Sequence, residues 1–251
     1  MKRLFIKEAK MIKTLSSSKG RKEHGLFAAE GIKAVSELLR SDIKTEFVVV
    51  DQDFNFEEFA AQNPNVKKVD QFSYPVSSVS SLKSAEGIIG IGKIPDSTLP
   101  EKFFEESRNL LGLFGISDPG NTGTLIRTAC WFGLDGVVLF DHCSDIYSPK
   151  VIRSSMGAVF HIRTIVFENF SDCGSLLSGF EKIGTFLDIK RSYISEPEKK
   201  KILFLGNESS GLDTGLKNVT DSNFRIDSKS GFDSLNVSVA GGIIMNEIFN
   251  I

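Results

Sequence analysis

The chain has few of the residues that build covalent or metal-held frameworks. Its three cysteines, Cys130, Cys143 and Cys173, stand at no CxxC spacing among 251 residues. That excludes a disulfide framework and a zinc ribbon, and no metal site is expected. Histidine is as scarce: His24, His142 and His161 are scattered, and no GxSxG turn exists for them to serve. A Ser-His-Asp hydrolase is therefore disfavoured. The GK[ST] of a phosphate loop is missing, and GIIGIG (87–92) has neither the spacing nor the following helix of a dinucleotide fingerprint. No apolar run approaches the ~20 residues that span a bilayer. The N-terminal MKRLFIKEAKMIK interleaves apolar residues with lysine, unlike a secretory signal. A cytoplasmic protein with no membrane association is expected.

What is present is distributed unevenly. The net charge of −2 hides a basic end: residues 1–24 carry eight Lys or Arg against Glu8 and Glu23, a balance of +6 that leaves −8 for the rest. A basic end on an acidic chain is the footprint of a nucleic-acid contact. The apolar residues fall into short runs. In the first half, residues 3–15 have a rough helical period, SSSKGRKEHG (16–25) reads as a polar loop, and strands are expected at 26–31, 46–50, 65–70 and 87–94. Helices fall between them, which makes a small α/β domain over 1–95. PDSTLPEK (95–102) is the best linker, placed at 96–102. The alternation restarts over 103–251. Strands are expected at 109–116, 135–140, 161–167, 184–189, 200–206 and 223–226, and helices at 124–132, 149–157, 176–183 and 235–249. Continuous apolar runs separated by helices indicate a mostly parallel sheet covered on both faces.

Three segments of this second half join a strand to a helix or a loop: DPGNTGTLIRTA (118–129), FLGNESSGL (204–212) and DSLNVSVAGG (233–242). Catalytic loops are built at such junctions, and if the three converge they define one site. In the first, Gly120 and Gly123 permit a tight turn and Asn121 offers an amide donor and acceptor. Arg127 falls in the first turn of helix 124–132, where the positive helix end disfavours it by a few tenths of a kcal/mol. Gripping a phosphate would explain that placement. In the second, Asn207 and Glu208 follow a strand end. In the third, Ser234 is the expected N-cap, with Asn236 and Ser238 in the first turn of an otherwise apolar helix. Gly241 and Gly242 suggest close packing on another element or a second subunit.

The order NxGxxxRxA, LGNExxGL, SLNVSVA is similar to the three motifs of the SpoU/TrmH RNA methyltransferases of the SPOUT superfamily. DIYSPKVIRSSMGAVFHI (145–162) and GRKEHGLFAAEGIKAV (20–35) also resemble that family. The resemblance implies a 2′-O-ribose methyltransferase that uses S-adenosyl-L-methionine on structured RNA, most often ribosomal. The alternatives are a tRNA ribose methyltransferase, or a non-catalytic RNA-binding protein with a degenerate site. It implies a C-terminal domain with a deep trefoil knot, roughly 203–245, a homodimer through that domain whose site borrows a residue from the partner, and a small N-terminal RNA-binding domain. By motif position Asn121, Arg127, Glu208, Ser234 and Asn236 match the catalytic set. Gly206, Asn207, Ile226, Leu235 and Asn236 match cofactor-contacting positions, and Lys19, Arg21, Lys22, Arg127 and Arg153 fall to the RNA. One departure stands out. Where the family commonly has Ile-Pro-Met, this chain has Ile226-Asp227-Ser228.

Overall fold

The computed structural model describes residues 2–82, 86–96, 99–140, 142–194, 196–207, 211–229 and 234–249. The chain divides into two compact units. One holds residues 1–96 together with 145–161, and the other 97–144 and 162–251. The excursion of 145–161 into the first unit differs from the expected division, which placed it in the second domain.

In chain order the first unit comprises β1 (Lys2–Arg3), α1 (Ile6–Thr14), α2 (Ser18–His24), β2 (Leu26–Glu30), α3 (Ile32–Arg40), β3 (Thr45–Val50), α4 (Phe56–Gln62), β4 (Asp70–Ser73) and β5 (Ile88–Lys93). Its sheet runs β1-β4-β3-β5-β2, with β3–β5 and β5–β2 antiparallel and the rest parallel. One face packs Ile12, Leu15, Val49 and Ile91 under α1, and the other packs Val35, Val48, Phe59 and Ile88 under α3 and α4. The polar stretch 16–25, expected as a loop, contains a helix. Ser17 caps it through Gly20 N, and Gly25 closes it in the left-handed conformation. The expected strand 65–70 is a 3-10 turn, and pairing begins only at Asp70.

Arg21, on α2, is not available to RNA as the sequence suggested. It is 3% exposed, and Nε and Nη2 both donate to Asp145 Oδ2, at 3.0 and 2.7 Å, while Nη1 donates to Leu15 O at 2.7 Å. A buried guanidinium needs those acceptors, and they hold the 145–161 segment in place. Phe27 does the same from β2, its ring stacked on Tyr147 at 4.8 Å and on Phe160 at 5.4 Å. We expect Arg21→Ala to lower this unit's unfolding free energy by about 2–3 kcal/mol, since Asp145 is partly exposed and keeps some solvation. Urea denaturation of the full chain reads it, and no change would show the pair to be idle.

The second unit continues with α5 (Pro100–Glu105), β6 (Asn109–Phe114), α6 (Pro119–Trp131) and β7 (Gly136–Phe140). The helix α7 (Pro149–Ser154) belongs to the first unit's excursion, and β8 (Arg163–Val166), β9 (Phe180–Gly184), β10 (Lys200–Leu205), β11 (Ser222–Asn223) and α8 (Val237–Phe249) complete the second. Its sheet is wholly parallel, ordered β11-β9-β10-β6-β7-β8. The many phenylalanines fill its core: Phe114 stacks on Phe140 at 4.3 Å, and Phe204 meets Phe114 edge-on. Two expectations fail here. Residues 176–183 are not a helix: a 3-10 turn ends at Leu177, and β9 begins at Phe180. The strand expected at 184–189 is therefore the loop that leaves β9.

Candidate active site

The first segment is not a loop before a helix. α6 begins at Pro119, whose missing N–H costs nothing at a first helical position, and Asp118 caps it by accepting from Asn121 N at 2.9 Å. The helix thus starts five residues earlier than the apolar period indicated. Arg127 lies in its third turn, so the helix-end argument for its function does not apply. Arg127 is exposed and makes no ion pair with a described residue.

The second segment leaves β10 at Gly206. A Cβ at Gly206 would lie 2.2 Å from Gly211 C and 2.3 Å from both Gly211 O and Leu212 N, so the chain doubles back directly over this residue. Gly211 N donates to Asn207 O at 2.8 Å and closes the return. Asn207 reaches sideways, its Nδ2 donating to Gly115 O at 2.8 Å, which ties the end of β10 to the end of β6. Glu208 lies outside the described residues.

The third segment shifts the expected cap by two positions. α8 starts at Val237, and its cap is Asn236 rather than Ser234: Asn236 Oδ1 accepts from Ser238 N at 3.0 Å and Ser238 Oγ at 2.6 Å. The same side chain donates through Nδ2 to Asn121 Oδ1 at 3.1 Å, across 115 residues of sequence. Gly241 sits where a Cβ would be 2.4 Å from Leu125 Cδ2 and 2.9 Å from Leu205 Cδ1, so α8 packs tightly on α6 and β10. Gly242 has nothing nearer than Thr128 Cγ2 at 4.0 Å, so only the first of the two glycines makes the expected close approach.

These bonds gather the three segments at the carboxyl end of the parallel strands, where open α/β sheets bind their ligands. Ser234 and Leu235 lie exposed just before α8. Neither the Ile226 nor the Leu235 N–H donates to another described residue, which leaves backbone groups free for a ligand. The loop after β9 joins the same end and was missed from sequence because 176–183 reads as helical. Within it Thr185 Oγ1 donates to Phe204 O at 2.9 Å, and Leu187 is 60% exposed. Asn223 fastens the loop. Its Oδ1 accepts from Phe186 N at 2.8 Å, and its Nδ2 donates to Phe186 O and Ile189 O. A buried asparagine at a strand end was the available signal.

At the departure from the family pattern, Arg225 Nε donates to Asp227 Oδ1 at 2.8 Å, and Arg225 Nη1 donates to Leu187 O at 3.3 Å. The turn that a proline would stiffen is braced by a short-range ion pair. Of the residues expected to meet RNA, Lys19 and Lys22 are exposed on α2 and Arg153 on α7, all in the first unit. The surface opening lined by Glu101, Phe104, Ser175, Phe180 and Lys199 lies at the amino ends of β9 and β10, away from the motifs. Among the described residues, no three His, Cys, Asp or Glu side chains cluster as metal ligands, and no helix is long and apolar enough to cross a membrane.

The asparagine junction makes one effect predictable. Asn236→Ala removes both the cap of α8 and the tie to Asn121. We expect a stability loss of about 1 kcal/mol from the cap. Turnover should fall much more, on the order of 10- to 100-fold, because Asn121 loses its orientation. Equal small losses in both would mean that the residue only caps.

Residues 108–246 match the SpoU rRNA Methylase family, and residues 7–90 match the MRM3-like substrate binding domain. The chain is 30% identical over 236 residues to the 23S rRNA (guanosine(2553)-2′-O)-methyltransferase RlmP of Bacillus subtilis, covering 93% of this chain and 92% of the relative. An S-adenosylmethionine-bound rRNA methyltransferase from Sinorhizobium meliloti superposes with a TM-score of 0.84 at 27% identity, over 98% of this chain and 95% of that one. The SpoU methyltransferase AviRb of Streptomyces viridochromogenes shares the fold, with a TM-score of 0.84 at 19% identity over 96% of each chain.

Proposed function

Because the chain belongs to the SpoU rRNA Methylase family, we propose that it methylates a ribose 2′-hydroxyl of ribosomal RNA, using S-adenosyl-L-methionine, in the cytoplasm. The observation that carries this reading is the convergence of Asn121, Asn207 and Asn236 at one end of the parallel sheet. When bound, S-adenosylmethionine supplies an electrophilic methyl group on a positively charged sulfur. The residues present fit that ligand: Gly206 leaves room for nothing larger than itself, and the free backbone N–H groups of Ile226 and Leu235 suit a purine edge better than a charged group would. On this reading Gly206, Asn207, Ile226 and Leu235 hold the cofactor, and Asn121, Ser234 and Asn236 align the ribose. Glu208 completes the catalytic set by motif position.

Arg127 takes a different role from the asparagines. A guanidinium offers five N–H donors and no acceptor, so Arg127 pairs with the RNA phosphate and stabilises charge developing on the 2′-oxygen. It lies six residues beyond Asn121 on α6, about 9 Å along the axis and turned about 120° away. It shares a stripe with Trp131, which is 83% exposed, while Val239 and Ile243 are half-exposed on the adjoining α8. These exposed apolar side chains, beside an arginine that makes no ion pair among the described residues, support a homodimer through α6 and α8, with Arg127 serving the site of the partner subunit. Knotting is part of the same reading. It is supported by the order of the elements: β11 lies at the sheet edge, and α8, which follows it in the chain, packs on α6 and the central strand β10.

The test is methyl transfer. Purified protein, labelled cofactor and 23S rRNA transcript should yield methyl groups that map to ribose 2′-oxygens. Label on bases, or none, would overturn the reading. In the second case, an unchanged melting temperature with cofactor would point to the non-catalytic RNA binder.

A further inference from the structure

We propose that the solvent face of α1, headed by Phe5, is a platform for an unpaired stretch of RNA, with Phe5 stacking on a base and Lys7, Lys10 and Lys13 taking phosphates. The proposal rests on the reading of the chain as an RNA methyltransferase and names the kind of RNA element its first unit grips.

The basic end is smaller and better defined than its charge count suggests. Arg21 is buried against Asp145, and Lys2 pairs with Asp70 at 3.0 Å. Glu8, the acid within α1, is turned back to accept from Phe5 N at 2.9 Å. Arg3, Lys7, Lys10, Lys13, Lys19 and Lys22 remain exposed, and none makes an ion pair with a described residue. On α1, Ala9 and Ile12 face the sheet. At 100° per residue, Lys13, Ile6, Lys10, Thr14 and Lys7 share an arc about 120° wide on the outer side. Three ammonium groups on one short face, with the carboxylate of α1 itself, Glu8, turned back to Phe5 N, complement a run of phosphates.

Phe5 has no structural reason to be where it is. It stands at the N-cap of α1, a position that favours Ser, Thr, Asp or Asn, and it makes no side-chain cap bond. Nor does it pack, being 72% exposed, as is Ile6 beside it. An aromatic ring held out of the core at the head of a lysine stripe is the arrangement that stacks on bases of single-stranded nucleic acid. A fully paired RNA helix offers no open base face, so the partner is a loop or bulge. A lipid surface would need the apolar stripe of the helix, and α1 has committed that stripe to the sheet.

The experiment measures binding of the full-length protein, without cofactor, to a 23S rRNA transcript, to oligo(U) and to a fully paired RNA of equal length. Phe5→Ser should weaken transcript and oligo(U) binding by about 5- to 100-fold and leave duplex binding within about twofold. The triple variant Lys7→Ala, Lys10→Ala, Lys13→Ala should lower the slope of log K against log salt by about 2. Both variants should keep the wild-type circular dichroism and the wild-type thermal shift with S-adenosylmethionine. Unchanged affinity in Phe5→Ser, an unchanged salt slope in the triple variant, or losses seen on anionic vesicles but not on RNA would overturn the proposal. The catalytic reading fails separately. Wild-type protein that binds the transcript in this manner but transfers no methyl group would sink that reading and leave this one standing.

Discussion

Gly206→Ala is expected to abolish cofactor binding, with affinity for S-adenosylmethionine falling at least about 100-fold by calorimetry. Alanine adds one carbon, and that carbon would sit 2.2–2.3 Å from three backbone atoms of Gly211 and Leu212. Contacts so short with backbone cannot be relieved by turning a side chain. The return from Asn207 to Gly211 must open, taking with it the bond from Gly211 N to Asn207 O. Asn207 also ties β10 to Gly115, so the disturbance reaches the end of β6. The sheet itself should survive, because Leu110, Val138 and Ile202 hold its core farther down the strands, away from Gly206. Gly179→Ala is the control. No atom lies within 4 Å of the added carbon there, at the amino end of β9, and binding should be unchanged. Near-normal affinity in Gly206→Ala would show that the doubled-back loop is not the cofactor's wall.

Arg127 gives the other large effect. Arg127→Ala should lower kcat/KM by about 100- to 1000-fold, and Arg127→Lys should recover little of it, since a point charge does not reproduce the fork that meets a phosphate. Unfolding should barely change, because the side chain is exposed and makes no ion pair among the described residues. The decisive measurement mixes chains. If Arg127 serves the partner's site, Arg127→Ala and Asn236→Ala chains refolded together form mixed dimers with one intact site. Activity should then return to about a quarter of wild type from two preparations that are each nearly inactive. Absence of recovery, with mixed dimers present, would place Arg127 in the site of its own chain.

The apolar runs made the parallel sheet of the second half legible, because strands buried on both faces need continuous Val, Leu, Ile and Phe. The same logic failed where burial pattern and helix start part company. α6 begins at Pro119 because Asp118 and proline suit a first turn, although the apolar period starts only at Leu125. Asn236, not Ser234, caps α8, and either side chain could have done so. Residues 176–183 read as helix because Leu176, Leu177, Phe180 and Ile183 keep a helical spacing. The same four residues serve equally a 3-10 turn followed by a strand.

By itself the sequence determined the α/β class, the three strand-end segments, the basic N-terminus and the family, since each depends on residue types and local spacing. Only the tertiary structure decided which of those residues meet. It set Asn236 against Asn121 and Asn207 against Gly115, it buried Arg21 on Asp145, and it inserted β10 between β9 and β6. Those side-chain pairings join residues that are 92 to 124 positions apart. Local propensity carries no information at that range: packing of each sheet with the helices of its own unit selects such contacts, and one basic residue in a run is buried while its neighbours are left to the solvent.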